Sequence, residues 1–432
     1  MRGLLLLVIT IALAFSVKGQ GSIHEFFAED IQVIFKEVPR DVVSVIVVIK
    51  GGTANYTKET EGIEALAIKW AVEGGTVNYP KDVLNQKIES SGAIIDFYTG
   101  YDYSLIEMTC LKRHWAEAWS ILSDILINPA LQTDQFKLAK TQLISDAKYN
   151  NQDPNTKLRY LAMANAFAGK NYEKIPEGTA RSLERLTADQ VKNYYENFIN
   201  KKNCFISIVG DLQGDSLRIS IFERLKDLPS GGETRFVQDE GITSGPPQMH
   251  YRKLETNYIR GYMNAPRLES EEGLAILIGM EMLDKRIFDI VRVKAGLSYN
   301  PTAYFANAII HNPYNVLYIS TSQPREAIKL MVEVLQDVKE NGFTSEELAA
   351  QKATYLTSYY LDQETTSSQC NAIVMNELRG GWRKAIITPG NLSKLDHTTV
   401  NEVIKKYTNL IRWTYLGNKN TMSESDFVNL KK

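Results

Sequence analysis

The chain carries one set of landmarks twice, about 207–212 positions apart, and this repeat limits the folds open to it. Each copy has the start of a long helix, a second helix start and an apolar run, at 133–136, 186–191 and 205–211 in the first copy and at 345–348, 395–400 and 413–418 in the second. A single hydrophobic core rarely grows beyond roughly 250–300 residues. The 432 residues are therefore expected to form two homologous lobes.

The boundary between the lobes is predicted from a change in composition. Gly, Pro and Ser cluster at 229–232 and again at 241–247, which is typical of a linker or a long connection. We therefore predict an N-terminal lobe over 20–229, a linker over 230–248 and a C-terminal lobe over 249–432.

Within the first half, strand patterns come before a block of helical patterns. This order favours an α+β fold over regular alternation of strands and helices. Strands are predicted at 31–35, 42–50, 93–99, 103–110 and 205–209, and helices at 63–72, 83–90, 115–126, 134–150 and 188–198.

The first residues have the pattern of a secretory signal. Arg2 precedes an apolar run over 3–17, and the small residues Val17 and Gly19 suit cleavage after Gly19. We expect 1–19 to be a signal peptide, with a retained amino-terminal anchor as the alternative. The mature protein is then expected to be secreted or periplasmic, with no later segment long and apolar enough to span a membrane.

Charge and cysteine content argue against a nucleic-acid-binding protein and against a disulfide-linked one. The chain has 49 basic and 51 acidic side chains, so no basic excess is available to neutralise phosphates, and we expect no nucleic-acid partner. Its three cysteines are far apart, and Cys110 and Cys204 adjoin apolar strand patterns. We predict small core residues there rather than a disulfide.

A series of short motifs stands in a fixed order through the first half. Gly62-Ile63 precedes a helix and Glu73-Gly74-Gly75-Thr76 follows it, and further motifs lie at 88–93, 152–154, 186–187 and 209–211. The ordered set resembles the insulinase/pitrilysin family of zinc peptidases, which includes the mitochondrial processing peptidases. The resemblance covers nearly the whole mature chain. It implies two homologous lobes, each a mainly antiparallel sheet packed by a block of helices, which together form half of a clam-shell peptidase.

The same resemblance shows what is missing. Active members carry His-x-x-Glu-His on the helix after Gly62, where two His one turn apart bind zinc and the Glu serves as general base. One register of that motif places it on Ala65, Ile68 and Lys69, and the alternative register places it on Leu66, Lys69 and Trp70. The later Glu ligand corresponds to Asp146. Neither register contains a metal ligand, so we expect no metal in this chain and zinc in a partner subunit.

A second element of the family's machinery is present. The run from Arg292 to Tyr299 is similar to the family's Arg…Gly-Leu-x-Tyr segment, whose Arg and Tyr hold peptide near the zinc. The resemblance assigns substrate binding to Arg292 and Tyr299, since a guanidinium and a phenol can donate hydrogen bonds to a developing oxyanion. The alternative is structural: Tyr299 packs on a sheet and Arg292 pairs with an acid such as Asp289.

The sequence leaves three alternative functions for the chain. The chain is expected to be a non-catalytic subunit that supplies Arg292 and Tyr299 to a homologous zinc-bearing peptidase subunit, which cleaves peptides. The alternative is a non-enzymatic peptide-binding or scaffold protein, and a third possibility is an independent hydrolase with unrecognised ligands. By its order in the chain, 93–99 corresponds to the edge strand along which the family's substrates pair.

Overall fold

The computed structural model describes residues 22–234, 236 and 241–428. The predicted signal peptide at 1–19 lies outside the described residues. So do residues 235 and 237–240 of the predicted linker. Among the helices of the described ranges, none has both the length and the apolar character needed to cross a bilayer.

The first sheet takes its strands from the first half of the chain. They are β1 (Ile23–Ala28), β2 (Ile31–Glu37), β3 (Val42–Lys50), β4 (Ile94–Thr99), β5 (Tyr103–Leu111) and β6 (Cys204–Gly210). Their order in the sheet is β1-β2-β6-β3-β5-β4, with β2 and β6 parallel and the other neighbours antiparallel. The Val/Ile-rich β3 lies at the centre, and its residues 43–49 are all buried, because both faces of the sheet are covered.

The first half also contributes a block of helices. They are α1 (Ile63–Glu73), α2 (Lys81–Ser91), α3 (Trp115–Ile127), α4 (Thr133–Gln152), α5 (Pro154–Ala166), α6 (Ala180–Arg185), α7 (Ala188–Phe198) and α8 (Gly214–Leu225). The prediction omitted β1, α5, α6 and α8. The start of α5 has a clear sequence signal, because Asp153 caps the helix by accepting from the Thr156 N–H at 2.8 Å and Pro154 follows it.

The second half repeats this arrangement. Its strands are β7 (Gln248–Tyr251), β8 (Asn257–Asn264), β9 (Thr302–Phe305), β10 (Tyr314–Thr321) and β11 (Arg412–Gly417). Its helices are α9 (Gly273–Ile287), α10 (Pro324–Asn341), α11 (Ser345–Leu361), α12 (Thr366–Leu378), α13 (Pro389–Lys394), α14 (His397–Tyr407) and α15 (Glu424–Val428), with a π-helical segment over Phe288–Lys294. The strand order β7-β11-β8-β10-β9 matches β2-β6-β3-β5-β4 of the first sheet, including the parallel pair. The predicted α+β class with two similar sheets is confirmed.

The two halves exchange one helix each. Helix α5 of the first half packs on β8 and β11 of the second sheet, and α12 of the second half packs on β3 and β6 of the first sheet. Apolar clusters therefore contain side chains from both halves, such as Leu158 with Tyr262 and Ile373 with Ile46. Each half covers a sheet face that the other half cannot cover by itself.

Buried polar contacts fix both exchanged helices. Asn165 on α5 donates to the Trp413 carbonyl and to the Thr414 hydroxyl, both at 2.9 Å. On α12, the Cys370 thiol donates to the Ser207 carbonyl at 3.2 Å. Cys110 and Cys204 are buried, as predicted, and so is Cys370, and none of the three forms a disulfide. Because buried polar groups need partners, these contacts select one register for each exchanged helix.

Candidate functional site

Helix α1, where the family's zinc ligands would lie, is packed as part of the core. It begins after Gly62, whose φ of 88° is left-handed and whose Cβ, if present, would lie 2.7 Å from the Gly178 Cα. Of the positions in the two registers, Ala65, Leu66, Ile68 and Trp70 are buried apolar side chains.

Trp70 is held most firmly of these. Its indole N–H donates to the Gln132 carbonyl at 3.0 Å, and its ring lies 5.0 Å from that of Phe136 on α4. Both contacts place the Trp70 side chain between α1 and α4. A large aromatic group packed in this way contributes stability and offers no electron pair to a metal ion.

Lys69, which belongs to both registers, is the partly exposed member of the set. Its ammonium group lies 2.6 Å from a carboxylate oxygen of Glu73 and 5.8 Å from the centroid of the Phe97 ring on β4. Asp146 is exposed on α4. A cation among apolar side chains does not fit a zinc ion, because zinc needs His, Cys or carboxylate ligands. Within residues 22–234, 236 and 241–428, no three His, Cys, Asp or Glu side chains are grouped so that they could hold a metal.

Sequence reasoning missed one acid on α1. Glu64 is buried and accepts hydrogen bonds from the Ser104 and Tyr194 hydroxyls and, at 3.4 Å, from the Asn55 amide. Burial raises the pKa of the Glu64 carboxyl, and these three hydrogen bonds partly oppose that rise. The sequence signal for this buried acid is that Glu64 stands in a helix turn that is otherwise apolar. Its contacts tie α1 to β5 and α7, so its role is structural.

Arg292 and Tyr299 lie together on the second lobe. Arg292 is in the π-helical segment, and its guanidinium carbon is 4.3 Å from the centroid of the Tyr299 ring and 4.8 Å from that of Phe288. A turn through Gly296, with φ of 63°, brings Tyr299 back over Arg292. The Ser298 hydroxyl donates to the Ser320 carbonyl at 2.8 Å and holds this turn against β10.

The surroundings of the pair differ from those expected if Tyr299 packed on a sheet and Arg292 paired with an acid. Tyr299 is 80% exposed, so it does not pack on a sheet. Arg292 stacks between two rings, and no ion pair with Asp289 is found among the described residues. The pair therefore presents a stacked guanidinium and a phenol to solvent, which are the donors that bind a carbonyl oxygen or a carboxylate.

Strand β4 lies at the edge of the first sheet, beside β5. Ile94 and Tyr98 on it are exposed, and Phe97 is next to Lys69 of α1. A sheet edge leaves backbone N–H and C=O groups available to an added strand. The strand expected at 93–99 is β4 (94–99), and it lies beside α1.

Two family models match the chain. One, described as insulinase (peptidase family M16), matches residues 32–180, and the other, described as peptidase M16 inactive domain, matches residues 185–355. The chain is 22% identical over 302 residues to an uncharacterized zinc protease of Rickettsia felis, covering 68% of this chain and 72% of that protein. It is 20% identical over 344 residues to the non-peptidase homolog YmxG of Helicobacter pylori, covering 76% of this chain and 78% of the homolog.

The fold has solved counterparts. The crystal structure of a peptidase M16 inactive domain from Pseudomonas fluorescens superposes with a TM-score of 0.81 at 17% identity, covering 92% of this chain and 98% of that one. At this identity the likeness establishes the arrangement of helices and strands, and function depends on the side chains of the site.

Proposed function

Because this chain belongs to the insulinase family of peptidases and has the fold of its inactive homologues, we propose that it is a non-catalytic subunit of a zinc peptidase. In this proposal, Arg292 and Tyr299 act on peptide bound to a homologous partner chain that carries the zinc ligands. The observation that carries the proposal is that Arg292 stacks on the exposed Tyr299 in a chain whose α1 has no His, Cys or carboxylate at the positions of either register.

The chemistry assigned to the pair is hydrogen-bond donation. When bound in the partner, zinc supplies the activated water of the reaction. Arg292 and Tyr299 would orient the scissile carbonyl and donate to its oxygen as negative charge develops. The aromatic stacking supports this role, because a guanidinium held between Phe288 and Tyr299 loses less freedom on binding than a free side chain.

The edge strand β4 supports peptide binding by the same chain. An extended peptide paired along β4 would bond mainly through its backbone, so sequence selectivity would be loose. We also propose that the mature chain acts outside the cytoplasm, in the periplasm or after secretion. The signal-like pattern at residues 1–19 supports this localisation.

The test is reconstitution with a homologous chain that has an intact His-x-x-Glu-His. Cleavage of a fluorogenic peptide by the mixture should fall when Tyr299 is changed to Phe or Arg292 to Ala. A donor of this kind stabilises a transition state by about 2–4 kcal/mol, so each change should lower kcat/KM by about 30- to 1,000-fold.

Tyr360→Phe is the matched control, because Tyr360 is also an exposed tyrosine but lies on α11. It should leave cleavage unchanged. Unchanged kcat/KM in both Arg292→Ala and Tyr299→Phe, with association of the two chains intact, would refute the donor role.

A second function, a non-enzymatic peptide-binding protein, is favoured by the exposed edge of β4 with Ile94 and Tyr98. It predicts peptide binding by the chain alone and no effect of the Arg292 and Tyr299 changes on a partner's activity. An independent hydrolase would instead show stoichiometric zinc and chelator-sensitive cleavage by the purified chain without a partner.

A further inference from the structure

A cavity of about 880 Å³ lies where the second half meets the first sheet, and neither α1 nor the Arg292–Tyr299 pair lines it. Helices α11 and α12 and the segment 382–389 line it, and Ile23 of β1 and Lys36 of β2 contribute from the first sheet. Small-molecule sites in proteins have volumes of about 300–1,000 Å³. The cavity is therefore large enough for a small organic ligand.

Arg379 on the cavity wall is a buried cation without a bonded anion. It is 8% exposed, and its guanidinium donates to the Asn307 carbonyl. Glu269 attracts its charge from a distance but forms its ion pair with Arg267 instead. Among the described residues, no carboxylate pairs with Arg379. A buried guanidinium held only by a neutral carbonyl is costly, and an anion in the cavity would compensate its charge.

Lys36 adds a second positive charge to the same wall. It is half-buried on β2, forms no ion pair in the described ranges, and burial lowers its pKa. A carboxylate in the cavity would favour its charged form.

The acids on the wall do not cancel these charges. Glu281 accepts a hydrogen bond from the Gln351 amide at 2.8 Å, and burial raises the pKa of its carboxyl, so less negative charge is present there. Asp362 is exposed to solvent, which screens it.

The remaining wall combines polar side chains, such as Gln351, Gln369 and Asn376, with a group of apolar and aromatic ones. Ile373 and Met375 on α12, Tyr355 on α11, and Trp382 and Ile387 of the connecting segment line it. A ligand that satisfies both parts of this surface needs one anionic group and an apolar or aromatic body.

We propose that this cavity binds a small organic carboxylate with an apolar or aromatic body and that the Arg379 guanidinium anchors the carboxylate group. A guanidinium is suited to this role, because its planar donors match the two oxygens of a carboxylate. The proposal is independent of the peptidase-subunit function, since it uses none of α1, β4, Arg292 or Tyr299.

The test is calorimetric titration of the full mature chain in chloride buffer. The probes are N-acetylphenylalanine, indole-3-acetate and hexanoate, each compared with its uncharged amide. Each acid should bind at least tenfold more tightly than its amide. The carboxylate could belong to a small molecule or to the C-terminus of a peptide. A tetrapeptide ending in phenylalanine, with a free or an amidated C-terminus, distinguishes these two sources. Tighter binding of the free tetrapeptide than of N-acetylphenylalanine also supports the anchor and identifies a peptide C-terminus as the source.

Two variants locate the binding. Arg379→Met should weaken binding of the acids at least tenfold and leave that of the amides unchanged. Thr354→Trp should block the cavity without disturbing a core, because Thr354 is an exposed residue on its wall. Arg325→Met is the control, since it removes an exposed guanidinium that bonds to Asp426 outside the cavity.

Four results would overturn the proposal. They are equal affinity for acids and amides, no binding of any probe at 10 mM, unchanged affinity for the acids in folded Arg379→Met, and unchanged affinity in Thr354→Trp. The Thr354→Trp result decides the question if Arg379→Met does not fold.

Discussion

The helix exchange makes a strong prediction about the isolated halves. In the intact chain, α12 of the second half covers one face of the first sheet. The first-half side chains buried in that contact are Ile34, Val38, Ile46, Val48, Tyr103, Leu105, Phe205 and Val209. A fragment spanning 20–229 would expose them to water, and it would also expose the face of α5 that packs on the second sheet. We expect this fragment not to fold alone.

The magnitude follows from the buried surface. Full burial of a large apolar side chain contributes about 1.5 kcal/mol, so the eight side chains that share a cluster with α12 contribute at most on the order of 12 kcal/mol. The free energy of unfolding of a whole domain is only about 5–15 kcal/mol. Losing the cover of α12 therefore removes an amount comparable with all of the stability that a lobe of this size has.

The assay is urea unfolding followed by circular dichroism. The 20–229 fragment should show no cooperative transition, and adding the 233–432 fragment should restore one. The control is the full chain with a protease site inserted between Gly232 and Glu233, which are exposed. After cleavage the two halves should stay together in gel filtration, because the exchanged helices hold them. A cooperative transition of the 20–229 fragment alone, with a free energy of unfolding close to that of the full chain, would refute the reasoning.

Two further predictions concern buried polar groups. Burial raises the Glu64 pKa from its ordinary value of 4.5. The contribution of Glu64 to the free energy of unfolding is therefore present below pH 4.5 and is lost as pH rises through the folded-state pKa. In urea unfolding, Glu64→Gln should lose less stability than the parent protein between pH 5 and pH 8. Asn165→Ala should lower the free energy of unfolding by about 2–4 kcal/mol, because it leaves buried partners on β11 unsatisfied. The exposed Asn371→Ala is its control and should change the free energy by less than about 0.5 kcal/mol.

The sequence was sufficient for elements whose signals are local. The predicted strand 42–50 and helix 188–198 match β3 and α7, because β3 is rich in Val and Ile and the Thr187 side chain caps α7 by accepting from the Gln190 N–H. The exchange of α5 and α12 was not predictable in the same way. An apolar helix face shows that a helix is covered, and it does not show which sheet covers it.

The candidate sites also differ in how far a local sequence pattern reveals them. The residue types on α1 are visible in the sequence itself, and zinc accepts few of them. The spacing of Arg292 and Tyr299 suggested a pair, but their stacking depends on the π-helical segment and the turn at Gly296. The cavity around Arg379 combines side chains from distant parts of the chain, so no local pattern could reveal it.

Packing accounts for α1 but not for the Arg292–Tyr299 pair. On α1, Ala65, Leu66 and Trp70 fill a core, so the fold needs no metal there to be stable. Tyr299 is exposed and Arg292 contacts mainly two rings, so neither stabilises a core, and an exposed cation–π contact contributes only about 0.5–1 kcal/mol. Packing therefore gives no reason for the pair, whereas the proposed binding role does. This asymmetry between the two parts is why we propose a donor-supplying subunit before an inert scaffold.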